Sequence, residues 1–325
     1  MKKKTAWICL SIALLILVLM SYGFYRSIDR EKIPTEFGTI EIYFCPQEQC
    51  EEKLIEKIKM STESIHCAFY DVDESIVAAM KEMKEQGKEV KLVIDKENKE
   101  AFHQESWISF DTRTALMHDK FCIFDKKEIM TGSMNPTEND MTKNANNLIF
   151  ISSKTLAKNY EAEFQSFEKN KFGYDAKIQY EELIFNNFTI ENYFCPEDNC
   201  EEQIVNILNN ANEFIFFMQF SFTSDVLGNI LNEKSNRINV FGIFERTQIS
   251  QYSEYERLQS ISCLFKAGKL HHKVFIVDNE IVITGSMNPS SNGNKNNDEN
   301  IVIIHNTEIA ALFVKEFEKL KKDCS

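Results

Sequence analysis

One stretch of this chain occurs twice, and that repetition limits the folds open to it more than any compositional figure. His118 to Asn135 reads HDKFCIFDKKEIMTGSMN, and His271 to Asn288 reads HHKVFIVDNEIVITGSMN. Both fit H-x-K-x4-D-x6-G-S-x-N without a gap. His118 therefore maps to His271, Lys120 to Lys273, Asp125 to Asp278, Gly132 to Gly285, Ser133 to Ser286 and Asn135 to Asn288, always 153 residues on. A single His-x-Lys carries little information; two ungapped copies that keep the same polar residues and glycine carry a great deal. The repeat also reaches beyond the motif. YFCPQEQCEE at 43–52 returns as YFCPEDNCEE at 193–202, an offset of 150, and KNANNLIFI returns as NNDENIVII.

Within each motif, FCIFD-KK-EIMTG and VFIVD-NE-IVITG read as two short strands joined by a tight turn. In His-x-Lys the side chains are two apart, so on extended backbone they share a face. The patterns predict strands at 40–44, 65–70, 90–94 and 148–151, with helices at 51–60, 74–85 and 156–167. The second half repeats this with strands at 190–194, 214–220, 240–244 and 301–304 and a last helix at 308–320. Strands alternating with helices predict an α/β protein. The chain reads as two tandem α/β/α sandwich halves with mixed sheets, at 39–170 and 189–325, joined by a linker at 171–188. At 325 residues with 43% hydrophobic content it can bury two cores, of about 150 residues each. The shift of offset from 150 to 153 places the extra residues in a loop at 245–270, at the rim of the site; 95–117 reads as a long loop too.

MKKK followed by Thr5 to Tyr25 is a basic start and then a bilayer-length apolar run. A cleaved signal peptide has a shorter core and a small-x-small site, for which Ser21-Tyr22-Gly23 is a poor match. Residues 1–30 are thus expected to form an uncleaved transmembrane helix. The lysines hold its start in the cytoplasm, which makes a single-pass protein with its body on the extracytoplasmic side. In that compartment Cys45 with Cys50, and Cys195 with Cys200, read as one disulfide per half. A four-cysteine zinc site competes, although its spacing is usually C-x2-C, and plain buried thiols are the third reading. Cys9, Cys67, Cys122, Cys263 and Cys324 show no evident partner in the sequence. With 37 Lys and Arg against 50 Asp and Glu, the net charge of −13 argues against a tight, non-specific duplex binder.

The chemistry follows from residue types. Two imidazoles can divide the roles of nucleophile and general acid. Lys120 and Lys273 offer charge to a phosphate oxygen, while Ser133, Ser286, Asn135 and Asn288 add neutral donors. Asp125 and Asp278 count with the catalytic candidates as part of the motif, but their place at hairpin turns makes turn capping the stronger role. Gly132 and Gly285 serve backbone geometry. His272 is a neighbour, since Asp119 holds its place in the first copy. The motif lacks the carboxylate cluster that Mg²⁺ needs, so neither metal nor cofactor is expected.

On these residues the chain resembles the phospholipase D superfamily, whose paired motif is H-x-K-x4-D followed by G-S-x-N, over nearly everything after residue 38. MHDKFCIFD and HHKVFIVD, with ITGSMNP, look closest to its compact branch of bacterial endonucleases and mitochondrial cardiolipin hydrolases. The resemblance implies metal-independent phosphodiester cleavage through a phosphohistidine, between halves that here share one chain. That is a pseudo-dimer for which a monomer suffices. A glutamate at the position of Glu299 supports the active histidine in related nucleases. Glu299 is therefore expected against His271, and Asn146 against His118. Charge then favours His271 as nucleophile, whereas two-motif phospholipases more often use the first histidine, and the order stays open. The anchor and acidic body favour a phospholipid, such as cardiolipin, as substrate. An endonuclease or exonuclease acting on DNA or RNA is the alternative, and a basic groove leading to the histidines would favour it. A phosphatidyltransferase of the cardiolipin synthase kind is a variant of the first reading, and intact motifs speak against a non-catalytic scaffold.

Overall fold

The two motif hairpins lie inside two mixed sheets. The structure, a computed structural model, describes residues 33–324 except 103, 174–175 and 177. The expected anchor at 1–30 lies outside the described residues. Among the described residues no helix is long and apolar enough to cross a membrane. From Thr35 onward the chain forms one compact unit.

The first sheet runs, edge to edge, through Ile40–Cys45, Asn146–Ile151, Glu128–Gly132, Lys120–Phe124, Ser64–Phe69, Glu89–Asp95 and Ile108–Asp111. The second repeats that order with Phe188–Cys195, Glu299–His305, Ile281–Gly285, Lys273–Val277, Phe214–Gln219, Asn239–Glu245 and Ser262–Phe265. Two strands extend it, Glu182–Phe185 and Thr35–Glu36, the latter crossing over from the start of the first half. Both sheets mix parallel and antiparallel pairs. Their central strands are buried on both faces, which is why SIHCAF and FIFFMQ read as near-continuous apolar runs rather than alternating ones.

Each motif hairpin turns on two residues of positive φ, Asp125-Lys126 and Asp278-Asn279, as in a type I′ turn, within three-residue loops between Phe124 and Glu128 and between Val277 and Ile281. The aspartates do a second job there. Asp125 accepts the N–H groups of Thr62, Glu63 and Ser64 at 2.7–3.1 Å, and Asp278 those of Asn212, Glu213 and Phe214 at 2.8–2.9 Å. Each pins the start of the neighbouring strand. Both lie at the far end of a five-residue strand from the motif lysine, about 16 Å away at 3.3 Å per residue. Their candidacy as catalytic groups is corrected by that distance.

Gly132 and Gly285 have φ of 134° and 151°. A Cβ on them would stand 2.5 Å from the Asn147 carbonyl oxygen and 2.1 Å from that of Asn300. Only glycine lets these hairpins close on the next strand.

Each half has its own outer core, and a third core lies between the sheets. Its ring pairs follow the repeat. Tyr160, on the helix Lys154–Glu168, meets Phe194 of the second sheet edge-on at 5.0 Å. Its counterpart Phe313, on Thr307–Lys321, meets Phe44 of the first sheet at 5.1 Å. The halves close on each other through equivalent surfaces.

Three expectations change. The stretch 171–188 is more than a connector, because Glu182–Phe185 adds a strand to the second sheet. The loops at 95–117 and 245–270 hold the edge strands Ile108–Asp111 and Ser262–Phe265; four-residue edge strands are too short to show periodicity. Four cysteines without evident partners pair: Cys67 with Cys122 and Cys263 with Cys324, beside the expected Cys45–Cys50 and Cys195–Cys200. Strand register sets Cys67 opposite Cys122, which no local spacing reveals. Bonded sulfurs also remove the zinc reading. The pair Cys263–Cys324 spans 61 residues, and the chain-entropy relation assigns such a cross-link about 4 kcal/mol. The double variant C263S/C324S should accordingly melt several degrees lower by scanning calorimetry, with no difference between the two proteins once both are reduced.

Candidate active site

The histidines face one cleft of about 680 Å³, lined among others by Tyr70, Asn135, Asp140, Phe220, Lys269 and Asn288. His118 and His271 are 8% and 5% exposed, and Lys120 and Lys273 are buried beside them. Each lysine ammonium donates to the backbone carbonyl of its own histidine, at 2.7 and 2.9 Å. An aromatic ring backs each pair. Tyr70 lies 5.1 Å from the His118 ring and Phe220 4.6 Å from that of His271. The lysines in turn stand 5.7 and 5.2 Å over the same rings.

Support for the imidazoles crosses between the halves. His118 Nδ1 lies 2.7 Å from Glu299 Oε2, while His271 Nδ1 lies 2.9 Å from Asn146 Oδ1 and 3.0 Å from Asp140 Oδ2. The expected pairing of Glu299 with His271 and of Asn146 with His118 is therefore reversed. The cause lies in the backbone. His118 N–H donates to the Asp298 carbonyl and His271 N–H to that of Ala145, at 2.9 and 2.8 Å. Short parallel bridges join Met117 to Asp298 and Ala145 to Leu270. Each histidine thus enters its sheet alongside the other half's last strand, and the next residue of that strand meets its ring.

Asp140 went unnoticed in the sequence because its repeat equivalent is Gly293. The two halves carry their carboxylate at different positions: Asp140 with Asn146 in one, Gly293 with Glu299 in the other. Tyr70 and Phe220 did leave a signal, an aromatic at offset 150. The seam is polar as well. Asn300 donates to Asp119 at 2.6 Å, and Asn147 lies 3.1 Å from His272 Nδ1. Ser133 and Ser286 belong to this seam rather than to the cleft: both are fully buried and accept the N–H groups of Asn147 and Asn300 at 3.0 and 2.9 Å. Asn135 and Asn288 do line the cleft, and each keeps a buried amide oxygen without a partner.

Burial, reinforced by Lys120 and Lys273, pushes the His118 imidazole well below its usual range, so it is neutral at pH 7. Burial takes His271 down to about 3, with Asp140 pulling upward and Lys273 downward. Burial also opposes ionisation of Asp140, but His271 beside it and bonds from Asn144 and Asn135 hold its carboxyl well below the usual carboxylate range. Glu299 is pushed up by burial to about 8, against the pull of Lys120. Burial lowers Lys120 to about 8, and burial and Lys120 lower Lys273 well below its ordinary value. A lysine serves an anion only as the ammonium, the form present below its pKa. kcat/KM should therefore fall as pH rises through about 8, and a pH–rate profile checks it; a plateau to pH 10 would contradict an ammonium role.

A site of paired histidines and lysines around one anion-sized cleft matches the paired motif on which the sequence was read. The family described as "Cardiolipin synthase, PLD-like domain" matches residues 54–167 and 204–321. The chain belongs to the phospholipase D superfamily. Within it, a phospholipase D of Rickettsia prowazekii (strain Madrid E) is 28% identical over 173 residues, 46% of this chain and 84% of its own. The chain spans 62–65% of the length of four further Rickettsia proteins of that name. The mitochondrial cardiolipin hydrolase of Mus musculus is 45% identical over 53 residues, 16% of this chain and 24% of its own. A phosphatidylserine synthase of Haemophilus influenzae Rd KW20 shares the fold, with a TM-score of 0.68 at 12% identity and 87% of each chain covered.

Proposed function

We propose that this chain is a phospholipase D-type phosphodiesterase that hydrolyses a phospholipid head group through a phosphohistidine on His118. The observation that carries the chemistry is the pair of histidines at one cleft, each with Nδ1 held by a carboxyl group of the other half. His118 is the nucleophile because its Nε2 has no partner among the described residues, whereas His271 Nε2 has the Lys273 ammonium 3.2 Å away. His118 Nε2 attacks phosphorus, and the bond to the head-group oxygen breaks. His271 gives its proton to that oxygen. It takes the proton up with substrate, because the phosphodiester anion offsets the burial and the lysine charge that depress the ring, and Asp140 stabilises the imidazolium. A water then gives a proton back to His271 and attacks phosphorus, releasing His118 and phosphatidic acid.

The lipid reading rests on the cleft. Among its lining residues the one basic side chain besides the histidines is Lys269, set against Asp71 and Asp140. That suits one phosphodiester better than a polyanion track. The names of the Rickettsia and mouse relatives agree with it. The chain would work as a pseudo-dimer complete in itself, tethered by residues 1–30 with the body outside. Four disulfides support that side, and protease added to right-side-out vesicles tests it, since a protected body would refute the orientation.

The deciding assay offers the purified chain mixed phosphatidylcholine–cardiolipin vesicles and, in parallel, labelled single-stranded DNA and RNA. Head-group release that disappears in H118N and in H271N is expected. Oligonucleotide cleavage with inert lipid would replace the substrate class and keep the mechanism. Lipid cleavage surviving both variants would remove the mechanism.

A further inference from the structure

Leu116 lines the catalytic cleft and also a second one of about 680 Å³, which it shares with Arg113, Gly173 and Pro196. Three carboxylates converge beside that second cleft: Glu163 on the helix Lys154–Glu168, Glu197 in the CPEDNC loop, and Asp298. One oxygen of each lies within 4.8 Å of the others. Glu163 is 1% exposed, yet its Oε2 has no hydrogen-bond partner. Among the described residues the carboxyl of Glu197 has no hydrogen-bonding neighbour but its own backbone N–H. Asp119, fully buried and with Oδ2 unpartnered, adds further repulsion to both. Against these stands the guanidinium of Arg113, already shared between Asp111 and Asp298. Buried carboxylates without compensation are strongly unfavourable, so among the described residues the cluster is short of positive charge.

We propose that Glu163, Glu197 and Asp298 hold a calcium ion. Three oxygens within 4.8 Å of one another leave a central point no more than about 2.8 Å from each, so a small adjustment brings all three to the roughly 2.3–2.6 Å of Ca²⁺–oxygen contacts. The set is all oxygen, which selects a hard cation. It comes from three separate segments, which suits the irregular shell of calcium better than the strict octahedron of magnesium. The second cleft adjoins the cluster, since Pro196 and Asn297, the chain neighbours of Glu197 and Asp298, are in its lining. The ion ties a helix of the first half to the disulfide loop of the second and to the residue just before its last strand. It takes no part in phosphodiester cleavage. Its reach to the site is through Asp298, whose carbonyl accepts from His118 N–H and whose neighbour Glu299 holds the ring. This assignment stands whether or not the substrate is a lipid.

The test uses the full chain, stripped with EDTA and dialysed. Equilibrium dialysis with ⁴⁵Ca²⁺ should give one ion per chain, and 1 mM CaCl₂ should raise Tm by about 5 °C. E163Q and E197Q should each bind at least about tenfold more weakly and lose that rise. In EDTA, E163Q should melt above the wild type, since the amide keeps the shape and removes one repelling charge. E161Q, on the same helix but paired with His66, should behave as wild type towards calcium. A wild type with the same Tm in EDTA and in calcium, binding none at 10 mM, overturns the proposal: the cluster would then be kept neutral by protons. One ion bound undiminished in both E163Q and E197Q overturns it equally, by placing the ion elsewhere.

Discussion

The H118N variant should lose at least about 10⁴-fold in kcat, the scale on which a covalent nucleophile is missed. The amide can take the place of Nδ1 but is smaller than the ring and has no nucleophilic nitrogen. H271N should be as slow on a natural phospholipid, for a different reason. Attack on phosphorus still has its nucleophile, but the head-group alkoxide leaves without a proton. The two variants separate on a substrate whose leaving group needs no acid. With a p-nitrophenyl phosphodiester, H271N should form the phosphoenzyme and then stall, because the water step has lost its base. H118N should form none. Stalled H271N carrying ³²P on a peptide that contains His118 is the expected result. Label on His271 in the wild type would reverse the assignment of roles.

Much of this site was legible because the chain prints it twice. Repetition singles out His118, Lys120 and Asn135 with their counterparts, and the hairpin pattern puts Asp125 and Asp278 at turns, where each caps a strand. Alternation of apolar strands and helices likewise sufficed for two mixed sheets. Contacts between the copies were not legible. Repeat alignment compares equivalent positions within each half, whereas Glu299 and Asp140 act on the histidine of the other half. Nothing in a linear sequence states which half a side chain faces. Asp140 was hidden further because the repeat changes there, with glycine at 293. The pairing of Cys67 with Cys122 depends in the same way on strand register, and the short edge strands in both long loops have too few residues to declare themselves. Apart from those strands, what the sequence withheld was a relation between distant segments, and those relations complete the histidine–carboxyl pairs of the cleft.

The crossed arrangement leads to the second large effect. D140G removes the carboxylate from His271 and should lower kcat by about 10²- to 10³-fold, the range in which a general acid or its orienting partner contributes. The loss should fall mainly on substrates with poor leaving groups, as for H271N. Combined with H271N it should add little, because Asp140 acts through that ring. The second half shows how to restore it. There glycine stands at 293 and glutamate at 299, and Glu299 reaches across to His118 at 2.7 Å. Asn146 occupies the position equivalent to Glu299, with its amide oxygen 2.9 Å from His271 Nδ1. Adding N146E to D140G copies the second half's arrangement into the first and should return at least about tenfold of the lost rate. Thermal melting of both variants keeps the comparison clean, since Asp140 also accepts bonds from Asn135 and Asn144. A D140G/N146E protein that melts like D140G and recovers nothing would mean that His271 needs the particular placement of Asp140. Recovery would show that the halves reach the same catalytic pair by either of two carboxylate positions.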